Sequence, residues 1–406
     1  MVKRLQRVET ASDVRDRVQS LPRRFRKVAA AGITAEWQLE VGGQTFTISI
    51  VEGNCFVRDG PSLAPSIRVA MDIATWVAID DGALVGSDAL VAGKLSVRGN
   101  LDLAVRLQSL FEPYARPRGP ADIEQVQIKA NGVTLSSYLF GPEDAPAVVF
   151  LHGLGASKIS WLPSLPPLAE RYRLIVPDLP GHGESDKPRT DYTPRYYARI
   201  VRRLLESVGA ESVVIVGNSM GGRIALEVAV RSPDRVAGLA LLGPAVPGFR
   251  VRYVLGFSRV IPTELGAIPF PMRERWMGLV LRRLFANPEA ISEEARLAAA
   301  DEFIRIYATP AARMAFFDSM RHIVMEQPKP FWDRVNRIRV PALVIWGEQD
   351  RLVPVRHAAK LSDALRQSEL VVMPNVGHVP QFEAVRDTNR LLARFLKRTF
   401  AGIKAV

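Results

Sequence analysis

Serine is a poor nucleophile until a base takes its proton, so a serine that does chemistry needs a special backbone setting. Ser219 has one. Val213-Val214-Ile215-Val216 is a run of β-branched residues that reads as a buried strand. It ends in Gly217-Asn218-Ser219-Met220-Gly221-Gly222, after which Ala225, Val228 and Ala229 recur at helical spacing. Strand, tight G-x-S-x-G turn and helix together lift a serine Oγ clear of the backbone at a helix N-terminus. There the free N–H groups favour developing negative charge. Gly217 and Gly221 have no Cβ, so strand and helix can close tightly on the turn. The competing reading, a glycine-rich loop with an incidental serine, leaves the flanking strand and helix unexplained.

Such a serine implies two partners: a histidine to take its proton and a carboxylate to hold that histidine in the right tautomer. Asp350 follows the apolar run Ala342-Leu343-Val344-Ile345-Trp346 by way of Gly347-Glu348-Gln349. His378 follows Gly377 in a loop beyond Leu370 to Met373, where nothing structural obviously requires imidazole. His322 and His357 lie in helical stretches and are weaker candidates for the base.

The elements that must position these groups alternate. Ile123 to Ile128 and Val133 to Phe140 read as a hairpin across Asn131-Gly132. Ala147 to Leu151 and Arg173 to Val176 are short apolar runs typical of strands buried on both faces. A helix from Pro194 to Val208 precedes the Ser219 strand, Leu239 to Leu242 is a further strand, and Ala384 to Phe400 closes the chain. This alternation predicts a mostly parallel sheet with helices on both faces.

The motifs from 123 to 400 resemble the serine α/β-hydrolase family, its esterase, lipase and carbon–carbon hydrolase branch. They are the Ser219 turn, His152-Gly153-Leu154-Gly155 with Trp161 beyond, Asp178 through Ser185, Gly347 through Asp350, and Gly377-His378. The resemblance implies an eight-stranded sheet and the order Ser219, Asp350, His378 for the triad. It also implies an oxyanion hole made by the N–H groups of Met220 and Leu154, and structural roles for His152 and His182. A serine nucleophile excludes the aspartate-dependent branches of that fold. Between Leu242 and Ala342 lie about a hundred residues, too many for a plain connection. Residues 247–330 are expected to form a mostly helical cap. Phe249, Tyr253, Leu255, Phe257, Phe270, Met272, Trp276, Met277, Leu281, Leu284 and Phe285 make it apolar, as helix core or as a pocket over Ser219.

The first third is a different kind of chain. Val14 to Ala31 has a helical pattern that Pro22 should kink or split. Glu36 to Val41 and Gln44 to Ile50 alternate around Gly42-Gly43, and Asn54 to Arg58, Ile67 to Met71 and Lys94 to Val97 read as further strands. Short helices are expected at Thr75 to Asp80 and Asp88 to Val91, and a helix capped by Asn100 runs through Leu110. The hairpins, Thr75-Trp76, Asp81-Gly82 and the block from Ala89 to Asn100 resemble the sterol carrier protein 2 family. That resemblance implies a five-stranded sheet and helices around an apolar lipid or acyl tunnel, without catalysis. The alternative is a small α+β domain that only packs against its neighbour. The predicted organisation is therefore a lipid-carrier-like domain at 1–112, a linker at 113–122 and a hydrolase domain at 123–406. The linker carries three prolines, Pro113, Pro117 and Pro120.

Composition narrows the rest. The chain has 406 residues, 48% hydrophobic and 24% charged, an ordinary globular balance. No apolar run is long enough to span a bilayer, and Met1 to Lys27 has no apolar core of a secretory signal. One cysteine, Cys55, cannot pair internally, which fits a reducing cytoplasm. The net charge of +12 could draw nucleic acid or anionic lipid. No nucleic-acid motif is present. Arg23, Arg24, Arg26 and Lys27 leave peripheral contact with an anionic membrane open, against the alternative of a solvated face. The chemistry needs no cofactor and no metal, and no His/Cys cluster has zinc spacing. The expectation is a cytoplasmic serine hydrolase that cleaves the ester of an apolar acyl or lipid substrate. The alternatives are a carbon–carbon hydrolase of ring-fission type and a lipid carrier with a vestigial hydrolase domain.

Overall fold

The computed structural model describes residues 11–30, 32–114, 124–247, 280, 282–290 and 293–403. Its chain divides into two compact units. One is Met1–Glu124 with Ser292–Arg305, and the other is Gln125–Ile291 with Ile306–Val406. Most of the apolar cap residues named above, Phe249 through Leu281, lie outside the described residues.

In the first unit the helical pattern at the start does split at its proline. Helix α1 (Ala11–Gln19) ends before a single 3₁₀ turn, Leu21–Arg24, with Pro22 in its first turn. Five strands follow: β1 (Ala35–Val41), β2 (Gln44–Val51), β3 (Asn54–Asp59), β4 (Ile67–Met71) and β5 (Leu95–Gly99). The sheet order is β3-β2-β1-β4-β5. Gly42 and Gly43, at φ 54° and 83°, make the two-residue turn that sets Val41 opposite Gln44. Trp37, Leu39 and Val41 share one face of β1 and are fully buried, as are Ile48 and Ile50 on β2. Helices α2 (Ile73–Asp80), α3 (Gly86–Val91) and α4 (Leu101–Leu107) complete the unit. Asp72 caps α2 through Thr75 N–H and Asn100 caps α4 through Leu103 N–H. Trp37 Nε1 donates to Leu103 O at 3.1 Å, tying sheet to helix. Leu21, Trp76, Leu90, Val97, Val105 and Phe111 are among the side chains around an apolar cavity in this unit.

The second unit is built on eight strands. They are β6 (Glu124–Ala130), β7 (Val133–Phe140), β8 (Ala147–Leu151), β9 (Arg173–Pro177), β10 (Val213–Asn218), β11 (Val236–Leu242), β12 (Ala342–Gly347) and β13 (Ser368–Met373). Their order is β13-β12-β11-β10-β8-β9-β7-β6. From β9 to β13 every pairing is parallel, and β7 runs antiparallel to β9. The helices are α5 (Pro166–Ala169), α6 (Pro194–Ser207), α7 (Met220–Arg231), α8 (Glu293–Ile306), α9 (Pro310–Val324), α10 (Pro328–Val335), α11 (Arg356–Ala364), α12 (Pro380–Glu383) and α13 (Val385–Ile403). Residues 293–305 of α8 count with the first unit, where Asp301 accepts from Arg98 Nε at 2.8 Å and from Gly99 N–H. All five residues of β8 and all six of β10 and of β12 are buried, as expected of strands covered on both faces. Among the described residues no helix is long and apolar enough to cross a membrane.

Candidate active site

The three expected triad residues sit at the carboxyl ends of parallel strands. Ser219 follows β10 directly, with φ 52° and ψ −114°, a backbone state that L-residues rarely adopt. Glycine makes this turn possible by close approach. A Cβ on Gly221 would lie 2.0 Å from Leu151 O, and one on Gly217 would lie 2.5 Å from Gly221 C. Helix α7 therefore starts hard against the ends of β8 and β10. Ser219 N–H donates to Leu242 O at 3.0 Å, and Ser219 O accepts from Ala245 N–H at 3.0 Å, so the strained residue is anchored to the end of β11. Met220 is the first residue of α7, and its N–H has no intrahelical acceptor.

Beyond β12, Asp350 is 6% exposed and makes three contacts. Its Oδ1 accepts from Leu352 N–H at 2.9 Å and Val353 N–H at 2.8 Å, and its Oδ2 accepts from His378 Nδ1 at 2.7 Å. His378 lies in the loop after β13 and is held at both ends of its backbone. Its N–H donates to Leu284 O at 2.7 Å, and its carbonyl accepts from Asn218 Nδ2 at 3.1 Å. His378 Nε2 is buried and has no hydrogen-bond partner among the described residues. With Nδ1–H committed to Asp350, Nε2 carries the free lone pair, the form a general base requires. Sequence reading missed Asn218 and Glu383 as supports. Asn218 precedes Ser219 and clamps the His378 loop, also donating to Leu242 O. Glu383 accepts from the N–H groups of Gly377 and Val379, and through its other oxygen from Ala286. Burial raises the Glu383 carboxyl above its ordinary range despite those donors. Its place six residues after Gly377 was the available signal.

The His152–Gly155 loop lies against this turn, since a Cβ on Gly153 would be 3.4 Å from Ser219 Cβ. Leu154 is partly buried there. His152 is fully buried, with Nδ1 donating to Gly153 O at 2.9 Å and Nε2 accepting from Leu179 N–H at 2.9 Å. His182 is also fully buried, between the hydroxyls of Tyr307 and Tyr197. Burial holds both imidazoles below their ordinary pKa, so both are neutral near pH 7. Asp178 has no exposure and is matched by Lys158 Nζ at 2.8 Å and by the N–H groups of Lys158 and Glu184. His322 and His357 lie on α9 and α11. Among the described residues no cluster of three or more His, Cys, Asp or Glu could hold a metal ion.

Residues 146–385 match the model of the alpha/beta hydrolase fold. The chain belongs to the α/β-hydrolase family. Residues 13–112 match the SCP-2 sterol transfer family, so an SCP2 domain precedes the hydrolase. The chain is 31% identical over 291 residues to the dihydrolipoyllysine-residue acetyltransferase component of the acetoin cleaving system of Pseudomonas putida. That match spans 69% of this chain and 70% of the relative. It is 29% identical to the 2-hydroxy-6-oxo-6-phenylhexa-2,4-dienoate hydrolase of Burkholderia cepacia, over 66% of this chain and 95% of that one. A structure provisionally described as a lipase of Acinetobacter baumannii superposes with a TM-score of 0.60 at 26% identity. It covers 69% of this chain and 93% of its own. The relatives of this hydrolase thus include both lipases and carbon–carbon hydrolases.

Proposed function

We propose that the protein hydrolyses the ester of an apolar acyl or lipid substrate through an acyl-enzyme on Ser219. The observations that carry this reading are the His378–Asp350 hydrogen bond, which leaves Nε2 without a hydrogen-bond partner among the described residues, and the strained turn that holds Ser219 at the end of β10. Ser219 Oγ attacks the ester carbonyl carbon while His378 Nε2 takes its proton. The carbonyl electrons move onto oxygen, where the N–H groups of Met220 and Leu154 stabilise the charge. Collapse of the tetrahedral intermediate expels the alcohol, which leaves with the proton from His378. A water then repeats the sequence on the acyl-enzyme, giving the carboxylic acid and free Ser219. The triad and both oxyanion donors belong to this proposal.

A second reading, hydrolysis of a carbon–carbon bond in a vinylogous diketone, is favoured by the likeness to the Burkholderia dienoate hydrolase. There the leaving group is a carbanion, so the substrate must delocalise charge before it departs. An ester asks less, because its alkoxide accepts a proton directly from imidazolium. The SCP2 domain, with its apolar cavity, supports an acyl or lipid ligand that this domain holds and raises in local concentration for Ser219.

Two measurements test the proposal. A fluorophosphonate should label wild type at Ser219 and leave Ser219→Ala unlabelled. A panel of p-nitrophenyl esters set against a vinylogous 1,5-diketone should give the higher kcat/KM on the esters, rising with acyl length. Turnover of the diketone alone would replace the ester reading with the second one. An unlabelled wild type with neither activity would leave only a lipid carrier.

A further inference from the structure

Two side chains in the wall of the apolar SCP2 cavity can donate a hydrogen bond, Gln108 and Trp76. Gln108 is fully committed. Its Nε2 donates to Ile79 O at 3.1 Å and to Leu84 O at 3.0 Å, and its Oε1 accepts from Gly86 N–H at 2.9 Å. Trp76 is 4% exposed, and its Nε1 is buried with no hydrogen-bond partner among the described residues. The other tryptophan of this unit, Trp37, donates to Leu103 O. A buried indole N–H without an acceptor is costly, because it has given up water and gained nothing in exchange. Helix α2 brings Trp76 into the wall together with Ile79 and Asp80, three and four residues on, so all three belong to one face of that helix.

Charge in the wall limits what can meet that N–H. Among the described lining residues the ionisable ones are Asp80 and Glu112, both acidic, and none is Lys, Arg or His. The guanidiniums that meet Asp80 are already paired. Arg17 Nη1 donates to Asp80 Oδ2 at 3.1 Å and to Asp81 Oδ1 at 2.7 Å. Arg24 Nη1 donates to Asp80 Oδ1 at 2.8 Å and to Glu112 O at 2.7 Å. A carboxylate entering this cavity would lose its water, meet acidic neighbours and find no cation. A neutral oxygen acceptor meets neither penalty.

We propose that Trp76 Nε1 is the head-group donor of the SCP2 domain: it hydrogen-bonds the carbonyl oxygen of a neutral acyl ester whose chain lies in the apolar cavity. The domain therefore holds the ester in preference to the ionised acid that hydrolysis releases. This rests on the reading of the domain as a carrier of acyl ligands for Ser219. Substrate and product share one chain, so burial of methylenes cannot tell them apart and the head group must.

The test uses full-length Ser219→Ala, which leaves an ester uncut, with isotope-labelled tryptophan. It is titrated with methyl dodecanoate, dodecanoate and dodecane, each delivered from cyclodextrin. The Trp76 indole resonance is identified by its loss in Trp76→Phe. The ester should move that N–H downfield, the mark of a new acceptor, and dodecane should not. Affinities come from displacement of a fluorescent fatty acid, with Ala104→Trp, which places an indole in the cavity, as the blank. The ester should bind about tenfold or more tighter than dodecanoate. Trp76→Phe keeps an aromatic ring and removes the donor, so it should weaken the ester about threefold to tenfold and leave dodecane within about twofold. An ester that binds without moving the Trp76 indole downfield would overturn the donor. So would an equal loss of ester and dodecane in Trp76→Phe, which would make shape the cause. Dodecanoate bound as tightly as the ester would overturn the preference. If neither ester nor dodecane perturbs Trp76, the carrier reading itself fails and this inference with it.

Discussion

Replacing Asp350 by asparagine tests the proposed triad without disturbing its frame. The two backbone donors, Leu352 N–H and Val353 N–H, both point at Oδ1, so they admit an oxygen there and reject an amino group. The Asn side chain must therefore turn its NH₂ toward His378 Nδ1, where Oδ2 now accepts at 2.7 Å. Facing a donor, Nδ1 can only accept, and the ring proton moves to Nε2. That is the atom meant to take the proton of Ser219. The hydrogen-bond count is unchanged, so folding should lose no more than about 1.5 kcal/mol, the charge-assisted part. Turnover should fall about a thousandfold to ten-thousandfold, or about 4–5.5 kcal/mol in the barrier. His378→Ala removes the base itself and should cost more. Asp350→Ala strands both backbone donors and should lose about 1–3 kcal/mol for each. The assay is kcat on p-nitrophenyl octanoate beside a urea denaturation curve for each variant. Asp350→Asn within tenfold of wild type would refute the tautomer argument, and so would a loss of stability as large as that of Asp350→Ala.

Three further expectations follow from other parts of the molecule. His152 and His182 are held neutral in the fold, so below their ordinary pKa of about 6.5 the unfolded chain binds protons that the folded chain refuses. Stability should be full above that pH and fall as pH drops, by up to about 2.7 kcal/mol per pH unit for the pair. Hydrogen bonding to Asp318 raises His322, whose contribution runs the other way and fades only above pH 6.5, so a urea midpoint flat from pH 6.5 to 5 would contradict this. Gly243→Ala places a Cβ 3.2 Å from Asp350 Oδ2 and 3.3 Å from His378 Nδ1 at φ 47°; kcat should fall about tenfold with KM little changed, and equal kinetics would show that the pair tolerates displacement. Ala104→Trp should fill the apolar cavity of the SCP2 domain and weaken binding of a fluorescent fatty acid about tenfold or more, while turnover of a short soluble ester stays at the wild-type level. Unaltered fatty-acid affinity would move the ligand elsewhere.

Local physics made much of the architecture legible from sequence. Two-residue periodicity and Gly42-Gly43 define the first hairpin, the fully apolar runs mark β8, β10 and β12, and Pro22 ends α1 where its missing N–H predicts. The turn at Ser219 was readable for the same reason, because its steric demand falls on glycines two residues to either side. What pairs with what was decided elsewhere. Asp350 and His378 are 28 residues apart and meet because β12 and β13 are adjacent parallel strands whose loops leave from one edge. Asn218 and Glu383 carry no periodic or turn signal, and each gains its role from a partner that only strand order and helix packing bring near. Likewise the grouping of residues 293–305 with the first unit depends on Asp301 meeting Arg98, two charges about 200 positions apart. Periodicity and backbone sterics act over a few residues and are written in the chain. Contacts between distant side chains depend on how the elements pack, and the same element pattern admits many pairings until the sheet order selects one.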